Sequence, residues 1–272
     1  FARNQLDLPM ASVTAIMAGV DKGTPMKILS PLQTEGMGLV VPKDSQLKDW
    51  NAFLAHAKKA KKPVKVGYHS PTSAPKIVLE GALKSSGIRV TEDPTNMSAQ
   101  VLLVDLKETT NMIPALASKQ VEAIVGPSPF PEVAVSRGVG KIIVDLRDLP
   151  PKGYWHDFPC CVTVASEQTI AKHPDVVQKF VELIAKTNAW CNKHRIEAGT
   201  LTAEWIGLPA DTAKASKLVF LPKFTKSWMH GADKYMTILN SMGNFTSRLK
   251  GKTINEVKPV LFDLRFIDKV KL

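Results

Sequence analysis

Long apolar runs are missing from this sequence. The longest stretches, such as Met37–Val41 and Ala123–Val125, stop far short of the ~20 residues needed to cross a bilayer, so no membrane-spanning helix is expected. No basic segment followed by an apolar one opens the chain, and an expected secretion signal would lie outside it. Cysteine is scarce. Cys160, Cys161 and Cys191 make neither a metal-binding spacing nor the disulfide framework of a small secreted domain, and they leave the compartment open. Cys160 and Cys161 fall in the apolar run Phe158-Pro159-Cys160-Cys161-Val162-Thr163-Val164, where thiols behave as small hydrophobes. Core packing is therefore expected of them, with a vicinal disulfide or a metal site as the alternative.

The motifs that carry chemistry are absent too. No G-x-G-x-x-G, Walker A, H-E-x-x-H or G-x-S-x-G occurs. His56, His69, His156, His173, His194 and His230 are scattered, and only His69 and His156 fall in candidate site loops. Ser70, His69 and Asp157 have no spacing that suggests a nucleophile, base and acid. Hence no catalytic residue, no metal and no cofactor is expected. A nucleic-acid partner is not expected either. The net charge of +11 favours anionic partners in general. The one dense basic run, Lys58-Lys59-Ala60-Lys61-Lys62, lies at the end of a helical pattern, where cations suit the helix dipole, and has no interleaved aromatics to stack bases.

What is present is a chain of 272 residues, 44% hydrophobic, long enough for one large domain or two lobes. Its most informative stretch is Val64-Lys65-Val66-Gly67-Tyr68-His69-Ser70-Pro71-Thr72-Ser73-Ala74-Pro75-Lys76: a buried strand, a hydroxyl-rich turn and a helix start. The first N–H groups of a helix lack internal partners and sit at the positive end of its dipole, so hydroxyls beside them make an anion site. Pro75 suits a first helical turn. The plain alternative is an ordinary serine or threonine N-cap.

Read in order, a polar turn from Ala2 leads to a short strand that delivers Ser12 and Thr14 to a helix from about Val13 to Val20. Gly23 and Pro25 stop that helix, Met26–Ser30 is a strand, and Gln33, Thr34 and Glu35 form a polar loop. Gly36–Val41 is a strand ending at Pro42. A βα series follows: a helix through Trp50, Phe53 and Ala57, the Val64–Gly67 strand, and a helix through Ile77, Leu79 and Leu83. Strands are expected at Gly87–Val90, Val101–Val104, Val121–Gly126 and Lys141–Val144, with a helix at Asn111–Ser118. Such alternation implies a parallel sheet. The prolines of Pro127-Ser128-Pro129-Phe130-Pro131 fix a loop at what reads as a cleft mouth. After Tyr154, Trp155 and a strand at Val162–Val164, the pattern from Glu167 is helical almost throughout. Helices start at His173-Pro174-Asp175, at Leu208-Pro209-Ala210-Asp211 (carrying Ala215, Leu218 and Val219), and through Trp228, Tyr235 and Leu239.

The order of segments resembles the substrate-binding proteins of ABC importers, in the branch serving nitrate, sulfonates, taurine and thiamine-precursor pyrimidines. The resemblance is carried by Leu6-Asp7-Leu8 through Ser12, Gly23-Thr24-Pro25-Met26-Lys27-Ile28, Gly38–Ser45, Val66-Gly67 with its hydroxyl turn, Ala115–Ala123 and Gly126-Pro127-Ser128-Pro129-Phe130. Lys172-His173-Pro174-Asp175, Leu208-Pro209-Ala210-Asp211 and the tail from Ile254 to Ile267 continue it collinearly. It implies an α/β, two-lobed type II periplasmic-binding-protein fold. Residues 1–41 and 158–272 would make the first lobe and residues 42–157 the second, with hinge crossings near Val40-Val41-Pro42 and Phe158-Pro159. It also implies that the opening strands of the first lobe, on the order of 60 residues, are missing here. The Trp-Glu-Pro usual in that family after the cleft-strand glycine is Pro127-Ser128-Pro129 in this chain.

The function so implied is that of a monomeric, non-enzymatic, extracytoplasmic binder, periplasmic or membrane-anchored, that takes a small anionic or polar solute in the interlobe cleft and delivers it to a membrane permease. Candidate ligand residues are Ser12, Thr14, Gln33, Tyr68, His69, Ser70, Thr72, Ser73, Ser128, Phe130, Tyr154 and Trp155. The alternative is a pyrimidine-precursor binder or synthase-like enzyme on the same fold, which Cys160-Cys161 faintly suggests. A transcription regulator's sensing half would need a helix-turn-helix that the sequence does not show.

Overall fold

The computed structural model describes residues 6–272, apart from the side chains of Ala210 and Ala213, so the polar turn expected at Ala2–Gln5 lies outside the described residues. In chain order the elements are β1 (Met10–Ser12), α1 (Val13–Asp21), β2 (Met26–Thr34), β3 (Met37–Pro42), α2 (Trp50–Lys59), β4 (Val64–Tyr68), α3 (Ala74–Ser85), β5 (Val90–Thr91) and β6 (Val101–Asp105). Then come α4 (Met112–Ala117), β7 (Ala123–Pro127), α5 (Phe130–Ser136), β8 (Gly140–Asp145), β9 (Pro159–Ser166), α6 (Glu167–Lys172) and α7 (Pro174–Lys193). The chain finishes with α8 (Arg195–Ile206), α9 (Ala210–Lys214), β10 (Val219–Phe220), α10 (Lys226–Ser241), α11 (Ile254–Leu261) and α12 (Arg265–Asp268).

The chain divides into two compact units: residues 1–35, 157–195 and 218–272, and residues 36–156 with 196–217. Three parts of the expected lobe boundaries therefore change, the smallest being Asp157, which falls in the first unit. Residues 36–41 belong with the second unit because β3 is paired on both sides there, with β7 and β8. Residues 196–217 join it because Leu208 packs on the cluster of Val40, Met112, Ile124 and Val133, and Gly199 meets the backbone of Lys214 closely.

The first unit holds a four-stranded sheet in the order β1-β9-β2-β10, antiparallel throughout. Leu29 and Ala165 of this sheet pack against Val177, Val181 and Ala185 of α7 and against Phe266 and Ile267 of α12. These are the helical positions the α7 pattern presents on one face. The expected loop at Gln33 and Thr34 is instead the end of β2, because β10 pairs with it there. The helix expected to carry Leu218 and Val219 stops at Lys214, and Val219–Phe220 is extended. The backbone of Phe220 exchanges hydrogen bonds with the Asn192 amide of α7, and Leu221 donates to the carbonyl of Leu32. Such contacts from distant elements override a local helical pattern.

The second unit holds a six-stranded sheet in the order β5-β6-β4-β7-β3-β8. It is mixed, not parallel. β4 runs parallel to β6 and β7, and β5 to β6, but β3 is antiparallel to both its neighbours. A Cβ at Gly67 in β4 would stand 2.6 Å from Leu106 Cδ1, so any larger residue there would force the Leu106 side chain to shift. The strand expected at Gly87–Val90 shrinks to β5, and the proline loop after β7 turns at Phe130 into α5. Lys58 and Lys59 are exposed in the last turn of α2, as expected of a solvated helix end. Among the described residues no helix is long and apolar enough to cross a membrane.

Candidate functional site

Among the described residues, four α-helices have starts closed by a capping side chain: α2, α6, α10 and α11. Asp49 accepts from Ala52 N–H at 2.8 Å before α2, Ser166 from Thr169 at 2.9 Å before α6, and Thr225 from Trp228 at 3.0 Å before α10. Thr253 and Glu256 form a capping box before α11. The two starts singled out by sequence differ. Ser12 precedes α1 and Ser73 precedes α3, yet neither hydroxyl accepts from its helix.

In the second unit, β4 delivers the turn at Ser70–Ser73 to α3. The Ser73 hydroxyl donates to the Ser70 carbonyl at 2.8 Å, and Ser73 N–H reaches the same oxygen at 3.1 Å. Ser73 is buried and Thr72 half-buried. The N-cap reading of Ser73 is thereby corrected: its hydroxyl closes the turn as a donor instead of capping the helix as an acceptor. In register, Tyr68 stands opposite Asp105, and Gly67 opposite Ile124, so the turns after β4, β6 and β7 share the carboxyl edge of the parallel strands. That edge is where open α/β sheets collect ligands. Ser128 lies on it, just past β7.

The remaining candidates of this unit are committed to different degrees. Tyr68 is buried and donates to Glu92 Oε2 at 3.0 Å. Burial and the Glu92 carboxylate hold its phenol far above the usual range, and Lys76 Nζ sits 5.7 Å from its ring centre. His69 is half-buried, and desolvation lowers its pKa despite the opposing pull of Asp105, which favours a neutral imidazole. Its Nδ1 is buried with no hydrogen-bond partner among the described residues. The Ser128 hydroxyl donates to Glu132 Oε1 at 2.7 Å, and Phe130 is half-buried at the start of α5. Trp155 is buried and donates to the Pro150 carbonyl at 3.1 Å. Tyr154 packs edge-on against it, ring centres 4.8 Å apart. Trp155 thus stabilises the 150–155 segment and presents almost no face to a ligand.

A cavity of about 380 Å³ opens beside this edge, lined among others by Gly36, Gly38, Ser128, Glu132, Asp145 and Lys217. Burial raises the Glu132 carboxyl above its ordinary range even though Ser128 hydrogen-bonds to it. Burial also raises Asp145, against the Arg147 backbone bond and Lys217, whose Nζ lies 3.6 Å away. Sequence reasoning passed over Glu132 and Asp145, because nothing in their spacing marks them as neighbours.

In the first unit Ser12 and Thr14 come together, and Gln33 lies across β9 from them. The Ser12 and Thr14 hydroxyls are 2.8 Å apart, and Thr14 is fully buried. Cys161 stands opposite Ser12 on one side of β9 and opposite Gln33 on the other. Cys161 is half-buried, so the expectation that both adjacent cysteines simply fill the core holds for Cys160 alone.

The serine-led starts of α1 and α3, each at a strand-to-helix junction, have no side-chain cap. The solved structures agree on the fold. A Staphylococcus aureus ligand-binding component of an ABC-type import system, solved with zinc bound, is 17% identical with a TM-score of 0.79, covering 99% of this chain and 82% of that one. The Xanthomonas axonopodis pv. citri alkanesulfonate-binding protein SsuA, bound to MOPS, is 14% identical with a TM-score of 0.70, covering 96% and 82%. The nitrate-binding protein NrtA of Synechocystis PCC 6803 is 16% identical with a TM-score of 0.71, covering 99% and 72%. At these identities the likeness establishes a periplasmic-binding-protein fold. The NMT1-like family matches residues 1–207, and the chain belongs to that family. No curated protein matches it.

Proposed function

We propose that this protein is the solute-binding component of an ABC importer, holding a small anionic or polar solute and passing it to a membrane permease outside the cytoplasm. The observation that carries the reading is the pair of serine-led helix starts left uncapped, before α1 and before α3, in a chain whose other serine- and threonine-led helices are capped. Ser73 N–H is taken by the Ser70 carbonyl and Pro75 has none, so the N–H groups offered at the positive end of this twelve-residue helix are those of Ala74 and Lys76. Thr72 and Ser70 stand beside them, and Ser12 and Thr14 play the corresponding part before α1. A sulfonate, nitrate or carboxylate group suits such donors. The excess of Lys and Arg, net +11, favours approach of an anion to either unit.

Binding is the whole of the mechanism. A solute that interacts better with one conformation shifts the protein toward it, and the permease recognises the loaded form. The experiment is a thermal-shift panel of alkanesulfonates, taurine, nitrate and pyrimidine precursors, with calorimetry on any hit. A solute at one hundred times its Kd stabilises by roughly 2.7 kcal/mol, which is easily read. Silence across the anionic compounds together with a hit among neutral pyrimidines would overturn the anionic reading.

A further inference from the structure

In a regular strand successive side chains leave on opposite faces, so adjacent cysteines ordinarily point apart. β9 is irregular at this place. Gln33 of β2 stands opposite Cys161, while the next residue, Thr34, stands opposite Pro159, which leaves Cys160 as the inserted residue of a bulge. The result is two thiols with their sulfurs 3.7 Å apart. Cys160 is only 4% exposed, whereas Cys161 is reachable from solvent. We propose that Cys160 and Cys161 form a vicinal dithiol that closes to a disulfide, entered through Cys161, with a low-molecular-weight disulfide as the oxidant.

The bonds balance in two exchanges. The Cys161 thiolate attacks one sulfur of the oxidant, forming a mixed disulfide and releasing one small thiolate. Cys160 then loses its proton, and its thiolate attacks Cys161 Sγ, expelling the second small thiolate. Two protein thiols are oxidised, and one small disulfide is reduced to two thiols. The assignment of roles follows from access: Cys160 is only 4% exposed and Cys161 half-buried, and the contact between the sulfurs pulls the Cys161 thiol below its ordinary range. The same contact, with burial, holds Cys160 high. The half-buried, more acidic sulfur attacks and the fully buried one resolves.

The product is a switch rather than a staple. Neighbouring Cα atoms are about 3.8 Å apart, below the roughly 4.4–6.8 Å of ordinary disulfides, so the closed ring is strained and readily reduced. Its consequence reaches the polar row of the first unit, since Cys161 is the residue that both Ser12 and Gln33 oppose. That consequence rests on the solute-binding reading; the closure itself does not.

Incubation with oxidised glutathione, then alkylation and peptide mass spectrometry, tests the proposal on the wild-type protein and on Cys160→Ser. The wild type is expected to yield a Cys160–Cys161 peptide lighter by two hydrogen atoms and restored by dithiothreitol. Cys160→Ser is expected to stop at a stable glutathione adduct on Cys161. Cys191 reports simple adduct formation. The proposal is overturned if wild-type Cys160 and Cys161 remain fully alkylatable, if the wild type accumulates the same adduct as the variant, or if either thiol links to Cys191 or to a second chain. Should the variant fail to fold, the wild-type result decides alone.

Discussion

The Ser73 hydroxyl donates to the Ser70 carbonyl at 2.8 Å, so the serine placed to cap α3 spends its proton on the turn before it. Ser73→Ala removes a buried hydrogen bond and should lower stability by about 0.5–1.5 kcal/mol while leaving solute affinity intact. Thr72→Ala should instead weaken binding of an anionic solute about tenfold to a hundredfold, the worth of one charge-assisted hydrogen bond. Titration calorimetry beside urea unfolding reads both; equal affinity in the two variants and the wild type would place the ligand elsewhere.

Asp21, fully buried at the end of α1, accepts backbone N–H bonds from Thr246 at 2.9 Å, from Ser247 at 3.2 and 3.3 Å, and from Leu249 at 2.8 Å. It ties the first helix of its unit to a segment more than two hundred residues later. Asp21→Ala strands those donors, each worth about 1–3 kcal/mol when unsatisfied. A loss of at least about 3 kcal/mol is expected, with Asp21→Asn milder. A change under ~1 kcal/mol in the urea midpoint analysis would show that water replaces the carboxylate.

Lys76, 4% exposed, bridges Glu80 and Glu92 at 2.6 Å each, and Lys84 reaches Glu80 at 2.7 Å. Burial works against the Glu80 charge, but the bonds from Lys76 and Lys84 outweigh it and lower its pKa below 4.5. A carboxyl depressed in the folded state contributes stability that is present above the unfolded pKa and is lost as pH falls through the lower, folded one. Stability should therefore drop below about pH 4.5 in the wild type, and Glu80→Gln should flatten that part of the profile. Parallel profiles would remove Glu80 from the acid transition.

Glu132 has the opposite sign. Burial raises its carboxyl above 4.5, and one of its oxygens is buried without a hydrogen-bond partner among the described residues. Its folded form favours the proton, so the contribution of Glu132 to stability is greatest at acid pH and falls as pH rises through its folded pKa. Glu132→Gln should stabilise the protein at pH 7 and make no difference at pH 4. Thermal melts at the two pH values check it, and a uniform loss at both would mean that the Ser128 contact at 2.7 Å matters more than the charge.

The periodic segments were legible because their signals are local. α2, α3, α7 and α10 fall where the apolar spacing places them, and Pro75 and Pro174 lie in the first turns of α3 and α7. The hydroxyl turns at Ser12–Thr14 and Ser70–Ser73 were legible for the same reason, each lying at a strand end before a helix. Collinear motifs were enough to identify the family resemblance.

The tertiary structure decided whatever depends on a partner distant in sequence. Val219–Phe220 is a strand because β2 and Asn192 hold it extended, and β3 is antiparallel inside a βα series because β7 and β8 flank it. That the Ser73 hydroxyl closes its own turn instead of capping α3 is set by the fold of the turn and not by residue spacing. Cys160 and Cys161 face each other only because a bulge against β2 breaks the two-residue alternation of β9. Periodicity determines which face a residue takes within its own element. The neighbours that satisfy its polar groups come from contacts far away in sequence, and no local pattern records them.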